Sequence, residues 1–305
     1  MGKFIIKRVL SAIVTIFLVA TITFFLMFLV PGGPFLSEKA PSAETLAALE
    51  AKYGLDQPVP VQYVNYMERL IHGDLGTSLK KRGLEVNDII ATGFPVSAKV
   101  GGIAIAGAVL IGVPLGSVAA LNRGKPLDNI IMVVATCGIA VPSFVMATVL
   151  MVTFGVQLGW LPTMGLSGPL SYIMPCIALA FYPTAYISRL MRSSMLDVLG
   201  QDYMRTARAK GLSQFVMLFK HALRNAILPV VTYLGPLLAY TLTGSFVIEK
   251  IFTIPGLGSE FIGSITSRDY PLIMGTTIFL AFLIIMMNVI VDIVYKLIDP
   301  RIKLK

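Results

Sequence analysis

Hydrophobic positions gather into six long blocks, at residues 9–30, 97–121, 129–154, 171–188, 227–248 and 271–296. Each is close to the ~20 apolar residues that a helix needs to cross the hydrocarbon of a bilayer. The pattern predicts an all-α membrane protein with six transmembrane helices. Between the first two blocks the pattern changes. Pro41-Ser42 followed by "AETLAALEAKYG" predicts a short helix with Ser42 as its N-cap and Gly54 as its stop. "VPVQYVNYMERLIHG" places Val61, Val64, Met67, Leu70 and Ile71 along one side of a second helix, closed by Gly73. This pair predicts a small ordered cap over one end of the bundle. The chain thus divides into 1–30 (an N-terminal end and the first span), 31–96 (the cap segment) and 97–305 (a core of five spans, interrupted by a polar loop at 189–226).

Inside the second block Ala104, Ala108, Gly112, Gly116 and Ala120 recur every fourth residue. That spacing lays a stripe of small side chains along one helix face, where a neighbouring helix can approach closely. Pro142, Pro175, Pro183, Pro229 and Pro236 fall within or beside blocks and predict kinks or helix starts, because each removes a backbone donor. Cys137 and Cys176 lie in apolar runs without metal-site or disulfide spacing and are read as packing residues. His72 and His221 are far apart and form no metal constellation. The same reading assigns Thr136, Ser143 and Thr241, lone polar groups in the blocks, to helix packing.

Composition agrees with a lipid environment. The chain is 56% hydrophobic and 13% charged, with a mean hydropathy of +0.81; an ordinary globular chain is about 25% charged. The formal charge of +9 therefore bears on orientation in the bilayer and not on nucleic acid. The first block follows Lys3, Lys7 and Arg8, as a signal peptide would. Its apolar run exceeds the ~7–15 residues of a signal core and ends in "PGGP", so it is read as a true span. Six spans put both termini on one side. Segments 1–8, 122–128, 189–226 and 296–305 hold 16 Lys and Arg, against 9 in the alternate segments, which include Lys99 and the long 31–96. The positive-inside rule then predicts cytoplasmic termini.

The stretch "DYMRTARAKGLSQFVMLFKHALRNAILP" (202–229) concentrates this charge, with Arg205, Arg208, Lys210, Lys220, His221 and Arg224 against Asp202. Asp202 is expected to cap a helix, "YMRTARAK", whose alanines fall on one side and basic groups on the other. Gly211 suits a left-handed C-cap, Ser213 caps a second helix, and Pro229 begins the next span. "RTARAKGL" followed by "HALRNAILP" resembles the coupling-loop signature of ABC importer permeases of the peptide and nickel branch. The general signature is Glu-Ala-Ala, three residues and Gly, with Leu-Pro further on. Here Arg205 stands at the glutamate, Thr206 and Ala207 at the alanines, Gly211 at the glycine, and Leu228-Pro229 at the end. Arg205 departs from the general form and matches the peptide branch. "FFLMFLVPGGPF", "HGDLGTSL", "FPVSAKV", "TGSFVIEKIFTIPGLGSEFIGSITSRDYPLIMG" and "NVIVDIVYKLIDPR" resemble the family in order along nearly the whole chain, most closely the B-type membrane subunits of oligopeptide importers.

This resemblance implies the transmembrane-domain fold of a type I ABC importer, with the cap on the periplasmic side of a bacterial inner membrane. It implies a homologous second permease, two cytoplasmic ATPase subunits, an external peptide-binding protein and peptide as substrate. The chain has no G-x-x-x-x-G-K-[ST] phosphate loop, so ATP and Mg are expected on the partner ATPases, with no catalytic, cofactor or metal residue in this chain. The coupling contact is expected from Asp202, Arg205, Thr206, Ala207, Ala209, Gly211 and Leu212, resting on burial of Ala207, Ala209, Gly211 and Leu212. Asp292, with Asn288 and Tyr295 at helical spacing, is read as half of a structural ion pair near the span's end, and Pro300 as a helix stop. Three alternatives stand beside this reading. They are a dipeptide or nickel permease of the same family, an ion-gradient-driven secondary transporter, and a membrane scaffold or receptor without transport. The second would want paired ionisable groups or an inverted repeat, and Asp292 is the one intramembrane charge the pattern reveals.

Overall fold

The computed structural model describes residues 2–29, 33–35, 42–242 and 245–298, with no side chain described at 2–5, 7, 208, 214 and 291–298. The chain opens with one long helix, α1 (Gly2–Leu29). The cap follows as α2 (Ala43–Tyr53) and α3 (Val59–Ile71). As expected, Ser42 Oγ accepts from Thr45 N at 3.3 Å, and Gly54 ends α2 at φ 67°. The inward face of α3 corrects the sequence reading. Val61, Val64 and Ile71 are exposed, while Val59, Tyr63 and Tyr66 turn inward. Tyr66 stacks on Phe24 of α1 with ring centroids 5.7 Å apart, and Tyr63 bonds Thr21 at 2.8 Å. An aromatic ring buries more apolar area than a valine and still places its hydroxyl, so the tyrosines take the contact. Burial raises the Tyr66 pKa above the ordinary phenol value.

The core begins with α4 (Val86–Leu121), a single helix of 36 residues. At 1.5 Å per residue it is about 54 Å long, well beyond the ~30 Å of hydrocarbon. Its first turns therefore stand clear of the bilayer, while the cap packs on Phe24 of α1 and on Tyr270, Ile273 and Met274 at the start of the last helix. Next come α5 (Pro126–Ala140) and α6 (Ser143–Leu150), the latter running into a wide π turn at Met151–Gln157. The third block is thus not one straight crossing, because its two halves bend by 99° at Val141-Pro142. A proline without an amide hydrogen breaks the backbone ladder there. A 3₁₀ turn at Pro169–Tyr172 leads into α7 (Ile173–Leu199), which continues eleven residues past the expected end of the fourth block. Among the described residues five helices have the length and hydropathy of spans, and the bent α5–α6 pair makes a sixth.

The expected close packing of small residues is present. Ala104, Ala108, Gly112, Gly116 and Ala120 are all buried on α4, and α7 lies against them. A Cβ built on Gly116 would stand 2.3 Å from the Ser188 carbonyl oxygen, and one on Gly112 would stand 2.9 Å from that of Thr184. These two glycines set how near α4 and α7 come. Cys176, buried in the same seam, points its Sγ at the Val100 carbonyl 3.6 Å away.

Beyond α7 the chain forms α8 (Asp202–Ala209), then α9 (Gln214–Val216), a π turn at Met217–Ala222 and α10 (Leu223–Ala226). It re-enters the bundle as α11 (Leu228–Leu242), turns through a short helical hairpin, α12 (Phe246–Ile251) and α13 (Leu257–Ser267), and ends with α14 (Tyr270–Ile298). The expected partner of Asp292 and the stop at Pro300 lie outside the described residues.

Gly116→Ala is expected to lower stability by about 1–3 kcal/mol, the range for overpacking a tight contact. Gly102→Ala, whose Cβ meets nothing within 4 Å, should leave stability unchanged or slightly raised. Thermal unfolding of the purified proteins in detergent distinguishes the two.

Candidate functional site: the platform at the basic end

Helix α8 is short and closed at its C-terminal end. Asp202 is its first residue and not its N-cap as expected, since Gln201 O takes the first helical bonds, from Met204 N at 3.0 Å and Arg205 N at 3.4 Å. Gly211 adopts φ +73°, which lets Leu212 N reach back to the Ala207 carbonyl at 3.3 Å. A glycine reaches this left-handed region without steric cost. Ser213 caps the following helix as expected, with Val216 N 3.4 Å from its Oγ.

The orientation of α8 differs from the sequence reading. Ala207 and Ala209 do not share a side, because two residues along a helix at 100° per residue lie about 200° apart. Ala207 is only 8% exposed and, with Met204, is buried against Met191 and Met195 of α7 and Met217 and Ala222 of the next helix. Its small side chain seats α8 on its own subunit, so the expectation that Ala207 belongs to an outward docking surface is corrected. Asp202, Tyr203, Arg205, Thr206, Ala209 and Gly211 face outward, and Leu212 joins them at 37% exposed. Arg205 lies 3.7 Å from Asp202; both are solvent-exposed, so the pair orients charge more than it stabilises. Tyr203 Oη accepts from Asn225 Nδ2 at 3.0 Å and so ties α8 to α10. Sequence reasoning passed over Phe215 and Phe219, which lie on the next helix with ring centroids 4.5 Å apart and remain exposed. Their four-residue spacing within a basic segment was the available signal.

Three buried carboxylates were also missed. Asp128, on the first turn of α5, is 1% exposed. Arg192 on α7 donates to it in a fork, Nε to Oδ1 at 2.5 Å and Nη2 to Oδ2 at 2.6 Å, and Gly124 N adds a third bond at 3.0 Å. Arg192 lies one residue from Met191, which helps seat α8. The clasp therefore fixes the end of the third span to the platform under α8. Sequence reading placed Arg192 in a loop and had no means to pair it with a residue 64 positions away.

The second carboxylate, Glu249, is 2% exposed at the opposite end of the bundle. It accepts from Ser97 Oγ at 2.7 Å and Ser259 N at 2.9 Å, while Ser97 Oγ also accepts from Leu257 N at 2.9 Å. A Cβ at Gly256 would meet Glu249 Oε2 at 2.4 Å, so the glycine-rich "IPGLGSEF" makes room for a carboxylate. These bonds pin the α12–α13 hairpin to α4. Nearby, Asp269 holds the cap: its carboxylate accepts from Ser78 Oγ and, at 3.0 Å, from Leu79 N. Lys81 pairs with Glu260 at 2.5 Å. Of the lone polar groups read as packing residues, Thr241 is buried against Gly101, while Thr136 is exposed and its hydroxyl bonds its own helix at Met132 O.

Comparison with known proteins agrees with this arrangement. Residues 112–304 match the family described as "Binding-protein-dependent transport system inner membrane component", and residues 1–97 match its N-terminal component. The chain is 49% identical over 304 residues to the dipeptide transport system permease protein DppB of Bacillus subtilis, covering 100% of this chain and 99% of the relative. It is 48% identical over 305 residues to the oligopeptide transport system permease protein OppB of Haemophilus influenzae, and 44% identical to OppB of Escherichia coli K12, each covering 99% of this chain and 100% of the relative. Among solved structures, the MetNI methionine ABC transporter in an inward-facing conformation has a TM-score of 0.56 at 16% identity, covering 69% of this chain and 96% of that one. An amino acid ABC transporter has a TM-score of 0.51 at 18% identity, covering 71% and 95%. At such identities the shared property is the fold, that of a type I ABC importer transmembrane subunit.

Asp128→Leu leaves a part-buried guanidinium without its partner. It is expected to destabilise by up to about 3 kcal/mol, the low end for a broken buried pair because Arg192 keeps some solvent access. Asp128→Leu combined with Arg192→Leu should recover most of that loss. Denaturation midpoints of the single and double variants test the coupling.

Proposed function

Because the chain belongs to the family of binding-protein-dependent transport system inner membrane components, we propose that it is the membrane-spanning permease of an ATP-driven importer that brings oligopeptides into the cytoplasm by alternating access. The observation that carries this reading is the full-length likeness to peptide permeases, joined to a short capped helix, α8, held between the fourth and fifth spans on a rigid seat. The basic end is cytoplasmic, with both termini there, as the excess of Lys and Arg favours. The cap lies on the outer side of a bacterial inner membrane. ATP and Mg bind two ATPase subunits, not this chain. A homologous second permease covers part of the bare apolar flank that α1 leaves exposed, and an external binding protein delivers peptide. The dipeptide reading is kept as a second one, because the DppB relative is as similar as the OppB relatives.

In this reading the outward residues of α8, namely Asp202, Tyr203, Arg205, Thr206 and Ala209, enter a groove on one ATPase together with Leu212 of the turn that follows. Gly211 gives the turn its shape. Closure of the ATPases pushes α8, whose buried Met204 and Ala207 pass the force to α7 and, through Arg192 and Asp128, to α5. Two carboxylate latches at the other end, Glu249 and Asp269, hold the hairpin and the cap to α4 and α14.

The reconstituted complex is expected to take up short peptides only with both ATP and the external binding protein; uptake by this chain alone, driven by an ion gradient, would overturn the reading. Leu212→Glu should abolish uptake while the complex assembles and hydrolyses ATP without coupling. Ala207→Glu should instead reduce the yield of folded protein, because it puts a charge into the seat. Gly211→Leu meets open space, so its cost is the left-handed backbone alone, about 1–2 kcal/mol.

A further inference from the structure

Lys99 is a cation on the exposed side of α4, and its depth can be read along the helix. It lies 22 residues before Leu121, the last residue of α4 at the basic end. At 1.5 Å per residue that is about 33 Å, one hydrocarbon thickness of ~30 Å. Lys99 therefore stands at headgroup level on the far side of the bilayer. Tyr172, the last residue of the 3₁₀ turn that leads into α7, reaches the same level: it lies 20 residues before Arg192, again about 30 Å along the helix axis. The Lys99 ammonium rests 4.7 Å from the centre of the Tyr172 ring, which holds it over the seam between the two helices.

Below this pair runs an open groove of about 720 Å³. On α4 it follows Ile103, Gly107 and Ile111, at four-residue spacing from Lys99; on α7 it follows Ile173 and Ile177. Both helices run in the same direction from this end, so the groove follows the membrane normal. From Lys99 to Ile111 it descends about 18 Å, close to the ~15 Å of one leaflet. Gly107 contributes the floor, since a Cβ there would find nothing within 4 Å. The groove has one cation at headgroup depth and an aliphatic trough beneath it that opens sideways and is as long as one leaflet.

We propose that this groove holds a glycerophospholipid of that leaflet, with its phosphate on Lys99 and one acyl chain along Ile103, Gly107 and Ile111. An ammonium held at headgroup depth attracts a lipid phosphate by charge, and the aliphatic walls match an acyl chain. A peptide is the poorer match, because the trough offers its backbone amides few partners. The assignment does not depend on which side of the membrane the basic end faces.

The test uses the intact transporter purified in detergent from phosphatidylglycerol-containing nanodiscs, with retained lipid measured by native mass spectrometry. Lys99→Arg keeps the charge and should retain the tightly held phospholipid. Lys99→Gln should lose it at detergent concentrations where the parent keeps it. Gly107→Leu fills the trough without a clash and should lose it as well. Equal retention by the parent, Lys99→Gln and Gly107→Leu would overturn the proposal. So would efficient disulfide cross-linking of Gly107→Cys to a cysteine scanned along the partner permease, because a helix of that subunit would then occupy the groove. Unchanged subunit stoichiometry in the same spectra shows that any loss of lipid is not a loss of assembly.

Discussion

The contact between α4 and α7 sets the positions of the other elements. In lipid there is no hydrophobic drive to press one apolar helix on another, so association depends on close van der Waals approach. Gly112 and Gly116 allow it by letting the α7 backbone come to where a side chain would otherwise stand. The seam fixes Met191 and Met195 beneath α8, fixes Arg192 opposite Asp128, and leaves Lys99 and Tyr172 level at the far end. A larger residue at either glycine would tilt all of these together.

Carboxylates then do what helix packing cannot. Asp128, Glu249 and Asp269 are each almost fully buried, and each joins segments far apart in sequence. A buried acceptor left without donors is costly, so each is surrounded by donors: the guanidinium fork of Arg192, the hydroxyl of Ser97 with the amide of Ser259, and the hydroxyl of Ser78 with the amide of Leu79. Such bonds have direction where apolar contacts do not. They make the third span, the hairpin and the cap follow the α4–α7 pair as linked bodies. Force applied at α8 in the proposed cycle thus has a stiff route into the bundle through its seat and the clasp beside it.

The two faces of α8 divide the labour. Met204 and Ala207 commit one face to the chain's own core, while Tyr203, Thr206 and Ala209 leave the other free. A helix held on one side only by exposed salt bridges would yield under load, since such pairs are worth ~0–1 kcal/mol. A methionine-lined seat resists displacement and still fills irregular space.

The amino-acid sequence alone determined the six apolar blocks, the cap helix at Ser42–Gly54, the small-residue stripe on α4 and the Gly211 turn. These are local: each follows from helix period, capping chemistry or backbone freedom within a few residues. The order of motifs also reached the family. What only the tertiary structure decided was which side of each short helix is buried. Val61 and Val64 lost the inward face of α3 to Tyr63 and Tyr66, because Phe24 of another helix offers rings to stack on. Ala207 turned inward for Met191 and Met195. The bend at Pro142 took its 99° from what α6 packs against, since a proline permits a break without setting its angle. The pairing of Asp128 with Arg192, and of Glu249 with Ser97, joins residues 64 and 152 positions apart. Sequence carries no signal for such pairs, because the energy that selects them exists only once the helices have come together.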